Sequence, residues 1–124
     1  MMVLLDTNFI VACAKQKIDL ASAEFFLERK IEWIVPIGVV GELEELQMRK
    51  DINIADRNSA KIGLEILNLL EPTYVELKNP NVDKGISDYL FGKDIVLATL
   101  DKGLKKKVKN KKMVIRGKKK LEIV

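Results

Sequence analysis

Apolar residues along this chain come in two textures: short, nearly continuous runs, and longer stretches in which they recur every three or four positions. The runs predict buried strands and the spaced stretches predict amphipathic helices. Met2 to Asp6 reads as a short buried strand and Phe9 to Lys15 as a helix. Asp19 is placed to cap a second helix, whose Leu20, Ala23, Phe26, Leu27 and Ile31 keep helical spacing. Glu32 to Pro36 is a second strand, ended by its proline. Ile37 to about Lys50 predicts a helix with Val39, Leu43 and Leu46 on one face, and Ile54 to Leu70 another with Ile62, Ile66, Leu69 and Leu70 inward. Thr73 to Lys78 is a third strand, bracketed by Pro72 and Pro80, and Asn81 to Phe91 a helix. Asp94 to Thr99 has the unbroken apolar character of a parallel strand covered on both faces. A short helix from Lys102 and strands at 113–116 and 120–124 close the chain. Strands and helices alternate without an internal repeat or linker, which predicts one α/β domain over residues 1–124: a three-layer α/β/α sandwich with a mostly parallel central sheet of about five strands.

The composition, 48% hydrophobic and 32% charged over 124 residues, is that of a soluble globular protein. No apolar run reaches the length of a membrane span, and the first residues lack the pattern of a secretory leader, so a cytoplasmic location with no membrane association is expected. The lone cysteine, Cys13, sits among Val11, Ala12 and Ala14 and reads as a small core residue. Histidine is absent, which removes histidine general bases, Ser-His-Asp triads and histidine-ligated zinc. Neither GxxxxGK[ST] nor GxGxxG occurs, so the common phosphate cradles are missing as well. Carboxylates remain as the residues able to carry chemistry.

Charge is unevenly distributed. Residues 101–124 carry eleven Lys or Arg against two acids, whereas residues 1–100 carry eleven against sixteen. The basic end suits a polyanion such as RNA. It equally suits a solvated helix face through Lys105, Lys106, Lys107 and Lys109, with Lys118, Lys119 and Lys120 guarding an edge strand. Aromatic content is 6%, with no evident stacking platform, so any contact with nucleic acid is expected to be led by phosphate.

In a parallel sheet, ligands gather at the carboxyl ends of the strands where the strand order reverses. VLLDTN at 3–8 puts Asp6 at such an end, and LATLD at 97–101 puts Asp101 just past another. Glu42 falls three residues after Val39 and four before Leu46, on the border of an apolar helix face. A carboxylate there is costly unless paired or bound to a cation. Glu44 and Glu45 point away. Asp83, near a helix start, is by itself accounted for by the helix dipole. Asp88 lies round the helix from Asp83, and Asp94 belongs to the opposite end of the sheet. Taken singly each acid has a structural explanation; as a set with two at strand tips they read as a metal site.

LLDTNFI, PIGVVGELEEL, NVDKGI and IVLATLDKGLKKKV, in this order, resemble PIN-domain proteins along essentially the whole chain, and the eighteen positions from Asp83 to Asp101 belong to that pattern. The closing MVIRGKKKLEIV is similar to small stand-alone members related to VapC-type toxins and to the PIN nucleases of ribosomal RNA maturation. The resemblance implies a metal-dependent endoribonuclease in which Asp6, Glu42, Asp83 and Asp101 hold Mg²⁺ or Mn²⁺, supported by Thr7, Asn8 and Thr99. It also implies RNA as substrate, contacted by Lys84, Lys102, Lys105, Lys106 and Lys109, a homodimer, and an antitoxin or a ribosome-maturation factor as partner. Hard cations prefer carboxylate oxygens and retain waters, so a histidine-free site suits this chemistry.

Two positions depart from the pattern: Lys84 stands where many relatives have a second acid, and Leu100 where many have Asn. Lys84 and the concentrated C-terminal lysines favour the alternative, a PIN-fold RNA-binding or protein-interaction module with weak or no cleavage, and the four intact acids oppose it. A phosphatase of the haloacid dehalogenase type would need an acid where Asn8 stands. A receiver domain would have no use for Glu42.

Overall fold

The computed structural model describes residues 1–117 and 119–124. Lys118, one of the three lysines expected to guard an edge strand, lies outside them. Six strands form one sheet: β1 (Met2–Leu5), β2 (Glu32–Pro36), β3 (Thr73–Val75), β4 (Ile95–Ala98), β5 (Lys112–Arg116) and β6 (Lys120–Ile123). Their order is β3-β2-β1-β4-β5-β6, parallel throughout except for β6, which runs antiparallel to β5. That closing hairpin takes the sheet to six strands where about five were expected. β6 is an edge, and its Lys120 is exposed there.

The helices are α1 (Thr7–Gln16), α2 (Ala23–Leu27), α3 (Ile37–Met48), α4 (Ile54–Leu70), α5 (Val82–Leu90) and α6 (Lys102–Lys107). Side chains alternate across the strands with period two. Val3, Leu5, Trp33, Val35, Val96 and Ala98 enter a large core with Phe9, Ile10, Val39, Leu43 and Leu67 from α1, α3 and α4. Leu4, Ile34, Ile95 and Leu97 enter a smaller one with Ile86 and Leu90 of α5 and Leu104 of α6. Helices thus cover both faces of an α/β fold. Cys13 is buried in the large core, and burial pushes its thiol up to about 12.

Four expectations need correction. The helix expected from Asp19 to Ile31 is a 3₁₀ turn at Leu20–Ser22 followed by the five-residue α2. Glu28 takes a left-handed conformation that ends it, and Phe26 is exposed, edge-on to Phe25. On α4 the buried residues are Ser59, Ala60, Gly63 and Leu67, while Ile62 and Leu69 face solvent. The reason is steric: a Cβ on Gly63 would lie 3.0 Å from Ile10 Cγ2 and 3.4 Å from Leu43 Cδ2, so α4 crosses α1 and α3 too closely for larger side chains. β3 stops at Val75 instead of Lys78, and α6 stops at Lys107, leaving Lys109 in the connection to β5. Among the described residues, no helix is long and apolar enough to cross a membrane.

Candidate functional site

The strand order reverses beside β1: the chain moves from β1 to β2 on one side, and β4 joins on the other. The ladder between β1 and β4 runs one residue past the strands, through a bond from the Asp6 amide to the Ala98 carbonyl at 3.0 Å. This delivers Asp6 to the carboxyl edge, where it becomes the N-cap of α1. Asp6 is only 7% exposed. Its Oδ1 accepts from the Thr7 amide at 2.9 Å and its Oδ2 from the Thr99 hydroxyl at 2.8 Å.

The turn after β4 is tied to the same place. Thr99 Oγ1 accepts from the Asp101 amide at 3.1 Å, and Asn8 Oδ1 accepts from the Leu100 amide at 3.0 Å. Asp101 caps α6 by accepting from the Leu104 amide at 3.0 Å through Oδ1, leaving Oδ2 available. Asp83 stands in the first turn of α5, whose N-cap Asn81 accepts from the Lys84 amide at 3.0 Å. Glu42 reaches in from α3, half-buried.

Asp6, Glu42, Asp83 and Asp101 therefore line one cavity of about 650 Å³, together with Thr7 and Asn8. Burial is the main force raising the Asp6 pKa; the hydrogen bonds from Thr99 and Thr7 oppose it, and the charges of Asp83 and Asp101 add to it. The Glu42 pKa is also raised, first by burial, with Asp6, Glu45 and Asp83 adding repulsion against a lowering influence of Thr7. The sign is common to both: folding penalises the ionised carboxylates as pH rises past their ordinary range, and a cation among them removes the penalty. The Thr7 hydroxyl lies near enough to Glu42 to favour its charged form, yet no bond of normal geometry joins them. Among the described residues it is a buried polar atom without a partner, beside Glu42.

These residues fit a hard divalent cation. Among the described residues, no three of His, Cys, Asp and Glu stand close enough together to hold a metal ion between them. A cation of the Mg²⁺ kind does not need three, because it keeps several waters and takes one or two carboxylates from the protein. The unpartnered Thr7 hydroxyl and the mutually repelling acids supply oxygen donors for such a shell.

None of Lys84, Lys102, Lys105, Lys106 and Lys109 lines the cavity. Lys84, Lys102, Lys106 and Lys109 are exposed on or after α5 and α6, and Lys105 is half-buried. The lining residues that sequence reasoning missed are on α1: Val11, Ala12, Lys15 and Gln16. Their signal is present in the sequence, since with Asn8 they sit three, four, seven and eight positions apart on one helical stripe. Leu46, Val82 and Leu100 complete an apolar wall.

The model of the family described as "PIN like domain" matches residues 3–119. No curated protein matches the chain. Among solved structures, that of the PIN domain endonuclease Utp24 superposes with a TM-score of 0.77 at 25% identity, covering 98% of this chain and 90% of that one.

Proposed function

This chain belongs to the PIN-like domain family and has a nuclease-type fold, and on that footing we propose that it is a divalent-metal-dependent endoribonuclease. One observation carries the reading: carboxylates from four separate segments, Asp6, Glu42, Asp83 and Asp101, converge on one cavity at the switch point of a parallel sheet. The endonuclease activity named for Utp24 points the same way.

Of Asp6, Glu42, Asp83 and Asp101, one or two would hold Mg²⁺ or Mn²⁺ directly and the others through its waters, with Thr7 close by. When bound, the ion supplies Lewis acidity toward the phosphodiester and lowers the pKa of water. The chain's own contribution is orientation. Thr99 and the Thr7 amide lock the Asp6 carboxylate, and Asn8 and Thr99 pin the turn that carries Asp101. Carboxylates held in place in this way need no reorganisation to receive the cation, and it is the cation that would offset negative charge developing on the phosphate. RNA is the substrate, held through its backbone, because among the described residues no aromatic side chain lines the cavity. A second copy of the chain and an antitoxin or ribosome-maturation factor are the partners this reading carries with it.

A second reading has a specific observation behind it. Lys84, at the position where many relatives carry another acid, is exposed and does not line the cavity. A module that binds RNA without cleaving it would follow if four acids are too few.

The test is cleavage of end-labelled single-stranded RNA in Mn²⁺, Mg²⁺ or EDTA by wild type, Asp6→Asn and Asp101→Asn at matched melting temperature. Cleavage that requires metal and falls by about a thousandfold in both variants supports the nuclease. Metal and RNA binding without cleavage, and gain of cleavage on Lys84→Asp, would establish the second reading instead.

A further inference from the structure

We propose that Lys15 is a substrate-contacting residue that binds an RNA phosphate flanking the cleaved one, an inference that rests on the ribonuclease reading. The cavity carries four acids, so a phosphodiester meets repulsion at its mouth even when a divalent cation offsets part of it. Among the described residues, Lys15 is the only basic side chain lining that cavity. The lysine-rich α6, by contrast, sends none of its side chains into the lining.

The placement of Lys15 is set by α1. Asn8, Val11, Ala12, Lys15 and Gln16 form one stripe of the helix, all on the cavity wall. Lys15 lies seven residues from Asn8, about 10 Å along the axis, too far for the reacting centre and well placed for the next stretch of backbone. Its Nζ is paired with Asp56 Oδ1, from the first turn of α4, at 2.6 Å. Both side chains stay partly open to water, 49% and 37% exposed, so the pair is the exchangeable kind. A phosphate arriving at the cavity can take the place of Asp56. Lysine suits that task as a flexible point charge with three donors. Gln16 beside it offers an amide to sugar or base.

The deciding experiment compares Lys15→Met, Lys15→Arg and Asp56→Asn, matched by thermal melting, in two assays. The first is binding of a short labelled single-stranded RNA in Ca²⁺, followed by fluorescence anisotropy across salt concentrations. The second is cleavage of the same RNA in Mn²⁺. The expected result is that Lys15→Met weakens binding about tenfold at low salt and reduces the salt slope by about 0.7, the value of one single-strand phosphate contact. In cleavage the loss falls on KM rather than kcat. Lys15→Arg keeps the slope, and Asp56→Asn binds at least as tightly as wild type because it frees the ammonium.

If Lys15 serves only the ion pair, Lys15→Met and Asp56→Asn give the same result, and that would overturn the proposal. A slope unchanged in Lys15→Met would do so too. Wild type that binds with the Lys15-dependent slope but never cleaves removes the nuclease reading and leaves the Lys15 contact standing. Wild type that binds no RNA under any of these conditions removes both.

Discussion

The two faces of the sheet are built to different depths. Among the described residues, eighteen buried side chains pack on the face under α1, α3 and α4, and eight on the face under α5 and α6. The acidic cavity draws on both: Asp6 and Glu42 come from elements of the deep layer, Asp83 and Asp101 from the starts of the short helices of the thin one. Half of the carboxylate set is therefore carried by elements packed on the larger core, and half by short helices with less apolar surface beneath them. Elements with little buried apolar contact open at lower free energy than core elements. A cation that bridges the two halves would stabilise the thin side most.

Core truncation should separate the faces most strongly. Phe9→Ala in the deep layer is expected to cost about 3–5 kcal/mol, and Leu104→Ala in the thin layer about 2 kcal/mol, both read by urea denaturation. Equal costs would mean the thin layer is as tightly packed as the deep one. Next comes Gly63→Val, which forces a branched side chain between Ile10 and Leu43 and is expected to cost about 1–3 kcal/mol in the same measurement. Asn81→Ala removes the cap of α5 and should cost about 1 kcal/mol. It should also weaken Mn²⁺ binding, measured by titration calorimetry, because Asp83 rides on that first turn. The smallest effect is a null one: with its thiol pushed up to about 12 by burial, Cys13 should resist iodoacetamide at pH 8 in native protein and react in urea. Labelling that outpaces global unfolding would show that the deep layer opens locally.

How far the sequence carries depends on which force is at work. The α/β alternation and the two strand-tip acids were readable because a buried strand and its end leave a strong local pattern, as VLLD and VLATLD do. The chain's place in the family is supported over residues 3–119. Glu42 is marked by its position relative to Val39, which the structure buries, and Leu46, which is half-buried on the cavity wall. The inward face of α4 was misread because hydrophobicity favours Ile62 and Leu69, whereas a close helix crossing selects Ser59, Ala60 and Gly63 for their small size. Phe26 was assigned to the interior for the same reason, and it packs edge-on with Phe25 at the surface. Lysine density along the chain points to the carboxyl terminus rather than to Lys15, and density says nothing about which side chain meets a cavity.

The hydrogen bond from Thr99 to Asp6 joins residues 93 positions apart. Strand β1 leaves the ribosome well before its partner β4, which becomes available only after β2, β3 and the helices between them have followed. Until then Asp6 has neither the threonine that orients it nor the turn that brings Asp101 beside it. Closing so long a loop is slow and comes late in folding. A nascent chain would thus carry its acids scattered, next to a ribosome made largely of RNA, and would gather them into one pocket only after β4 and the turn behind it have emerged.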